Sequence, residues 1–353
     1  MKNKSKLLLF PASLLLLSGC GASANTSIPR GYTDVDKANP EARDAFFAKV
    51  AEDISLTYSK GVEGFLAEGS FSIKELSYSM TGSQSKKDES YMLTNVKADY
   101  TIGLVGLNEG ASKTKAVVKV ENAGFNLVLN TDNKEYTLVA KDLDVAAYFV
   151  ENTVYFDLSD KDVKNFANSV IDFNYATEGE SNKVDEIAKE KENVEKYLGK
   201  YFVKDNDDVG DVANSIPKAL TSEEIGKIKS TIANVIEEIL ANDKAKDLLI
   251  LSEDKNSKGA AIGVAMTSEP VEVDGVKASG DLTASLVFDK EGIFSRFGFA
   301  GNLDVESKSS TGTKKETFKM NKLDFGASFK YGTNSVKLPN FSDYAELPAE
   351  LLD

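Results

Sequence analysis

The stretch KMNKLDFGASFKY, residues 319–331, decides the fold of this chain. Its apolar and aromatic residues stand at every second position from Leu323 to Tyr331. Successive side chains of a β-strand point to opposite faces of the sheet, so this period of two predicts a strand with one buried and one solvated face. Strands of that kind are typical of antiparallel sheets. We therefore expect an antiparallel sheet around residues 319–331.

The same alternation extends over two blocks of the chain, about 61–158 and about 246–332. In the first block Phe125, Leu127 and Leu129 alternate with polar or smaller residues. Gly, Asn, Asp and Ser clusters bound the runs in both blocks, as expected for hairpin turns. The two blocks predict about five or six strands in the first and further strands in the second.

Residues 159–242, between the two blocks, have helical periodicity instead. The clearest helix starts at Thr221, which stands three residues before Glu224 in the spacing of a capping box. Residues 180–202 form a highly charged segment with a thin apolar stripe, which predicts a second helix. Another helix is expected to begin at Pro40, because proline is favoured at the first helical position.

The order helix, strand block, helical block, strand block predicts an α+β domain over residues 40–332, followed by a C-terminal tail, 333–353. We expect a curved, mostly antiparallel, open half-barrel-like sheet with helices packed on one face. This order is similar to that of the LolA-like and LppX/LprG-like lipoproteins. The resemblance implies a strongly curved sheet, covered by helices around an apolar cavity, that binds lipid.

The first twenty residues resemble the export signal of bacterial lipoproteins. Lys2, Lys4 and Lys6 precede an apolar stretch, and Leu17-Ser18-Gly19-Cys20 matches the lipobox. The apolar stretch is shorter than the ~20 residues that span a bilayer, and it has the form of a signal peptide. The resemblance implies that residues 1–19 are removed and that Cys20 receives a diacylglyceryl group and further acylation. The alternative is an ordinary signal peptide followed by an unrelated cysteine.

Removing that signal leaves 353 − 19 = 334 residues with a formal charge of −14 − 3 = −17, because three lysines are lost. An acidic surface repels phosphate backbones, so nucleic-acid binding is not expected, nor is a polybasic contact with anionic lipid. Cys20 is the only cysteine, so no intramolecular disulfide forms. Residues 20–39 are small and polar, which predicts a flexible tether between the membrane anchor and the domain.

Common catalytic and metal-binding patterns are missing from the sequence. The chain has no histidine, which removes Ser-His-Asp and Cys-His catalysis and most zinc sites. The acidic run that begins at Asp205 lacks the bidentate Glu of an EF-hand loop, since Ile216 stands there. We therefore expect no catalytic residue, metal or cofactor. A hydrolase that uses carboxylates alone would need two convergent Asp or Glu side chains with a raised pKa.

The remaining candidates for a functional site are apolar. They lie on the alternating faces of the strands and on the Ile-rich face of the helix after Thr221: Phe125, Leu127, Leu129, Ile225, Ile228, Ile232, Leu286, Phe288, Phe297, Phe299, Phe325 and Phe329. They either fill a core or line a pocket for an acyl chain. The sequence thus predicts a lipid-anchored, extracytoplasmic membrane protein that binds or carries a lipid or another apolar molecule without catalysis. The alternative is a surface or structural lipoprotein with a filled core, which contacts another protein or the cell wall.

Overall fold

The computed structural model describes residues 26–81, 89–109, 113–131, 134–204, 219–242, 246–273, 275–308, 315–332 and 336–348. Within them the chain forms four helices, α1 Pro40–Glu63, α2 Lys161–Thr177, α3 Val184–Glu195 and α4 Ser222–Ala241, and a short 3-10 turn at Leu107–Glu109. The strands of these residues are β1 Thr33–Asp34, β2 Gly64–Thr81, β3 Glu89–Val105, β4 Lys115–Thr131, β5 Lys134–Val150, β6 Thr153–Asp157, β7 Lys200–Lys204, β8 Leu249–Glu253, β9 Ala260–Val273, β10 Val276–Phe288, β11 Phe294–Lys308, β12 Lys315–Tyr331 and β13 Ala345–Glu346.

All of these strands belong to one curved, unclosed sheet in the order β1-β8-β9-β10-β11-β12-β2-β3-β4-β5-β6-β7-β13. Neighbouring strands are antiparallel except for β7 and β13, which are parallel. The two strand blocks are joined because β2 pairs with β12 over its whole length. The predicted fold class, a curved and mostly antiparallel sheet with helices, is confirmed.

The two helices next to the sheet edge begin at residues whose side chains cap them. The side-chain oxygen of Asn39 accepts hydrogen bonds from the backbone N–H groups at the start of α1, and Pro40 is the first helical residue. Thr221 and Glu224 form the capping box predicted for α4. Each cap satisfies backbone donors that have no partner inside the helix.

The main core lies between α1, α4 and the strands β8 to β10. Its buried apolar side chains are Val35, Phe46, Phe47, Val50, Ile54, Ile236, Leu249, Leu251, Ala260 and Phe288. Fully burying a side chain of the size of Phe or Leu contributes roughly 1.5–3 kcal/mol relative to its exposure. Packing at this end of the sheet therefore supplies much of the stability of a chain without disulfides.

A line of irregular residues crosses the middle of the long strands. Asn95, Asn122, Asp142 and Lys322 have left-handed backbone conformations with φ of 54°, 55°, 50° and 51°. The pairing register shifts beside them in β3–β4, β4–β5 and β11–β12. Such bulges bend strands and increase their twist. This bulge line separates an inner part of the sheet, which includes β6, β7 and β8, from an outer part.

Two predicted boundaries differ from the observed structure at the start of the domain and inside the helical block. Residues 32–39 were expected in a tether, but the backbone N–H of Val35 donates to the Leu251 carbonyl at 2.8 Å and β1 pairs with β8. The charged helix expected over residues 180–202 ends at Glu195, and residues 200–204 form β7 instead. Tyr201, Phe202 and Val203 have high β-propensity and pair with β6, and this outweighs the helical pattern of the preceding charges.

The predicted C-terminal tail is also folded over residues 336–348. Phe341 stacks on Tyr155 of β6 with ring centroids 3.9 Å apart, and Tyr344 is buried beside them. The backbone N–H of Leu347 donates to the Phe202 carbonyl at 2.9 Å. This C-terminal segment, residues 336–348, therefore attaches to the edge of the sheet at β7.

Candidate functional site

One face of the sheet, here called the apolar face, follows from the strand register. One row of directly paired residues joins Leu286, Phe297, Ala327, Gly69, Tyr100, Val120 and Val145. The next row on the same face joins Phe329, Ala67, Ile102, Val118, Ala147, Phe156 and Tyr201. Side chains of directly paired residues point to the same side of a sheet, so this face carries no charged residue in either row.

Helices α1 and α4 cover the apolar face at β8 to β10, where it forms part of the main core. Phenylalanine rings continue this core onto β11 and β12 through contacts between neighbours. Their centroids lie 5.6 Å apart for Phe288 and Phe294, 5.0 Å for Phe294 and Phe329, 6.1 Å for Phe329 and Phe297, and 5.3 Å for Phe297 and Phe325. At this end the space between helices and sheet is filled by side chains.

Tyr100 lies at the border of the helix-covered region. Its ring crosses Gly69 of β2, where a Cβ atom would lie 2.5 Å from the ring, and its hydroxyl donates to the Gly326 carbonyl at 3.1 Å. Burial raises the pKa of Tyr100 to about 12, so the hydroxyl stays protonated and remains a donor. Gly69 is needed here because any side chain would displace the ring.

From β3 to β7 the inner part of the apolar face is open. We call this region the open apolar patch: Tyr100, Ile102, Leu104, Ala116, Val118, Val120, Val145, Ala147, Phe149, Val154, Phe156, Tyr201 and Val203. None of these side chains is buried, and Ile102 and Val118 are 41% and 47% exposed. A sheet face that is wholly apolar and also accessible is unusual, since scattered single apolar residues are the normal case.

The apolar face continues beyond the bulge line. β10 and β11 pair without a register shift through this region, so Leu303 and Val305 lie on the same face as Phe297. Strand pairing continues both residues into rows across the outer part of the sheet. The row from Leu303 contains Met320, Leu76, Leu93, Leu127 and Leu138. The row from Val305 contains Phe318, Tyr78, Tyr91, Leu129 and Tyr136. Helix α2 lies over β4 and β5 there, with Phe166 in edge contact with Phe125 at 5.6 Å.

The predicted site residues therefore share one face but not one pocket. Leu286, Phe297, Phe299, Phe325 and Phe329 lie on β10 to β12, while Phe288 is buried in the main core. Of the helical candidates, Ile228 and Ile232 pack against that core from α4, and Ile225 lies one turn earlier on the same helix. Phe125, Leu127 and Leu129 lie in the outer part beside α2.

Sequence reasoning missed the open apolar patch. Its residues occupy every second position of β3 to β7, and most of them are Val, Ile, Leu or Ala, which stand out less in a sequence than Phe. The signal that could have found them is the density of apolar residues in TKAVVKVE, residues 114–121, and in AAYFV, residues 146–150. Which strands become neighbours, and which face a helix covers, depends on long-range pairing that periodicity does not encode.

The opposite face of the sheet carries the aromatic contacts of the C-terminal segment near β5 and β6, and it also has two clefts. One, of about 790 Å³, lies over β2, β3, β4 and β12 and is bounded by residues 331, 332 and 337. The other, of about 630 Å³, lies between residues 27–32 and the β10–β11 hairpin. The guanidinium of Arg296 donates to the Ser27 carbonyl in that second cleft. Both clefts contain charged side chains, unlike the apolar face.

The most deeply buried carboxyl group among the described residues is that of Asp53. Asp53 of α1 is 3% exposed, and its Oδ2 atom has no hydrogen-bond partner among the described residues. Burial raises its pKa to about 7, against the opposing effect of Lys49 and Lys258. Gly292 of the β10–β11 turn lies against it, since a Cβ there would be 2.3 Å from Asp53 Oδ1. Asp53 is thus shielded behind a turn and does not line either cleft.

The described part of the chain contains neither a metal-binding cluster nor a membrane-spanning helix. No group of three His, Cys, Asp or Glu side chains there is arranged to hold a metal ion. Within the same residues, no helix has the length and hydropathy to cross a bilayer. Cys20 and the acidic run at residues 205–216 lie outside the described residues.

Comparisons with known proteins add little. No family model matches the chain, and no curated protein matches it. Among solved structures, it is similar to the β-barrel-like protein of a domain of unknown function, DUF1849, from Brucella abortus. The two share 9% identity with a TM-score of 0.12, over 75% of this chain and 99% of the other. A likeness at this level carries no argument about function.

Proposed function

We propose that this protein is a lipid-anchored, extracytoplasmic lipoprotein that binds a lipid or another apolar molecule on the open apolar patch, without catalysis. The proposal rests on one observation: the side chains of the open apolar patch on β3 to β7 are all apolar or aromatic, and they are accessible to solvent. The patch holds only apolar and aromatic side chains, yet Ile102 and Val118 are among the exposed large hydrophobic residues of the described part of the chain. Covering such a surface releases about 25 cal/mol for each Å² of apolar area removed from water.

The position of the patch also supports binding of an extended ligand. It adjoins the aromatic cluster of β11 and β12 on one side and the apolar rows of the outer part on the other. A hydrocarbon chain lying along this face would meet no charged side chain in the paired rows, and therefore would not desolvate a charge on binding. The predicted acyl chains on Cys20 would hold the protein at the membrane that supplies such ligands.

Binding can be tested with a fluorescent fatty acid, cis-parinaric acid, and the chain from residue 20 onwards carrying Cys20→Ser. We expect saturable binding that weakens at least about tenfold in Val118→Asp, because a carboxylate would have to be desolvated under the ligand. Val139→Asp is the matched control, since Val139 is 49% exposed on the opposite face of β5. Equal affinities for the two variants, each with an unchanged far-UV circular dichroism spectrum, would contradict the proposal.

A second function is favoured by the filled core under α1 and α4. The open apolar patch would then be a contact surface for another extracytoplasmic protein. A photo-crosslinking residue at Val118 would then form a discrete protein adduct in intact cells, while the same residue at Val139 would not. In that case cis-parinaric acid would not bind saturably to the purified chain.

A further inference from the structure

We propose that the cleft of about 790 Å³ on the face opposite the apolar face binds a small, hydroxyl-bearing anion, such as a phosphorylated sugar, with Lys119 and Lys337 holding the anionic group. The residues that line this cleft, here called the lysine cleft, are Leu66, Glu68, Thr101, Val117, Lys119, Glu121, Lys330, Tyr331, Gly332 and Lys337. Its ligand chemistry differs entirely from that of the open apolar patch.

The floor and one wall of the lysine cleft are formed by the β-sheet and by the C-terminal segment. Its floor is this opposite face of three neighbouring strands, where Glu68, Thr101 and Lys119 are directly paired in one row. One wall is the beginning of the C-terminal segment, which packs closely on β3. A Cβ atom at Gly103 would lie 2.7 Å from the Val336 side chain. The aromatic contacts of Phe341 and Tyr344 hold this wall in place.

The charges of the cleft are incompletely compensated. Lys330 forms an ion pair with Glu68. Lys119 is half-buried in the middle of β4, and in the described part of the chain neither it nor Lys337 has a carboxylate within 4.0 Å. Two lysine ammonium groups that line the same cleft without a carboxylate partner can both bind one anionic ligand.

The end of the cleft at Glu121 determines which other chemical groups the ligand of the lysine cleft carries besides its anionic group. Glu121 lies there, directly paired with Asp99 of β3. Two neighbouring carboxylates repel a second anion and accept hydrogen bonds, so this end favours hydroxyl groups. Thr101 adds a hydroxyl that can donate or accept, and Leu66 and Val117 supply apolar contact for the C–H face of a sugar ring. A phosphorylated sugar meets all of these requirements in about the available volume.

The proposal is independent of the proposed function, because the lysine cleft and the open apolar patch lie on opposite faces of β3 and β4. The full chain can be purified in a non-ionic detergent, which covers apolar surfaces and leaves the lysine cleft accessible. Isothermal titration calorimetry would use glucose 6-phosphate as the probe, with inorganic phosphate and glucose as its two halves.

We expect glucose 6-phosphate to bind at least about tenfold more tightly than inorganic phosphate, and glucose to bind more weakly still. Lys119→Gln should weaken glucose 6-phosphate binding about tenfold, the loss expected for one charge-assisted hydrogen bond. Lys141→Gln is the matched control, since Lys141 is an exposed lysine of the same sheet outside the cleft. Its affinity should stay within about twofold of the parent chain.

Three outcomes would overturn the proposal. The first is the absence of glucose 6-phosphate binding by the parent chain. The second is equal binding of inorganic phosphate and glucose 6-phosphate, which would leave no role for the carboxylate end of the cleft. The third is an equal loss in Lys119→Gln and Lys141→Gln, which would indicate a general charge effect. Thermal unfolding of each variant shows whether a loss comes from misfolding, and Lys337→Gln repeats the test from a loop position if Lys119→Gln fails to fold.

Discussion

Replacing Asp53 by asparagine should remove most of the pH dependence of stability between pH 4 and pH 7. The pKa of this buried carboxyl is raised from 3.8 to about 7 in the folded protein. Between these values the folded state keeps a proton that the unfolded state has lost. The free energy of unfolding therefore falls as the pH rises through this window.

The size of the effect follows from the shift of about 3 pKa units. At about 1.36 kcal/mol for each unit, the loss amounts to at most about 4 kcal/mol by pH 8. The other carboxyl groups with clear shifts, such as Asp142 and Glu306, have lowered pKa values and act below this window. The chain has no histidine, so no imidazole contributes there. Asp53 is therefore the dominant group between pH 5 and pH 7.

Urea unfolding followed by circular dichroism at pH 5, 6, 7 and 8 measures this directly. The parent chain should lose stability across the series, whereas Asp53→Asn should vary little and should be the more stable protein at pH 8. Asp44→Asn, an exposed carboxyl change on the same helix, should follow the parent chain because its surface ion pair with Lys229 contributes only about 0–1 kcal/mol. Parallel curves for the parent chain and Asp53→Asn would refute the reasoning.

Three further changes test other parts of the structure. Cys20→Ser should move the protein from the membrane fraction to the soluble fraction without changing its thermal unfolding; retention at the membrane would contradict the lipid anchor. Phe341→Ala removes the ring that stacks on Tyr155, and should cost about 1–3 kcal/mol and speed proteolysis of the C-terminal segment. An unchanged cleavage rate would show that this segment is held by other contacts. Gly292→Ala places a Cβ against Asp53 at a φ of 79°, and should lower the unfolding free energy by about 1 kcal/mol or more, measured in urea.

The local elements were largely predictable from the sequence. Alternation from Leu323 to Tyr331 correctly indicated a strand, and the spacing of Thr221 and Glu224 correctly indicated the start of a helix. Both signals are short-range, since a period of two and a capping box are set by neighbouring residues. The fold class followed because the order of such elements restricts how they pack.

The attachment of residues 33–35 and 336–348 to the sheet was not predictable. Val35 and Tyr344 are single buried side chains in polar segments, and their partners lie on strands far away in sequence. A segment of this kind looks like a linker until the sheet edge it joins is known. For the same reason, the division of the apolar face into a filled and an open region appeared only with the strand order.

The pairing of β2 with β12 has a consequence for when the domain can form. Phe71 and Phe325 are direct partners 325 − 71 = 254 residues apart, so β2 keeps an unpaired edge until nearly the whole domain is present. At ~5–20 residues/s, synthesis of the intervening chain takes roughly 10–50 s. Pairing over such a separation also makes folding slow compared with a chain of local contacts. A truncation before Lys315 should therefore leave β2 exposed and prone to aggregation.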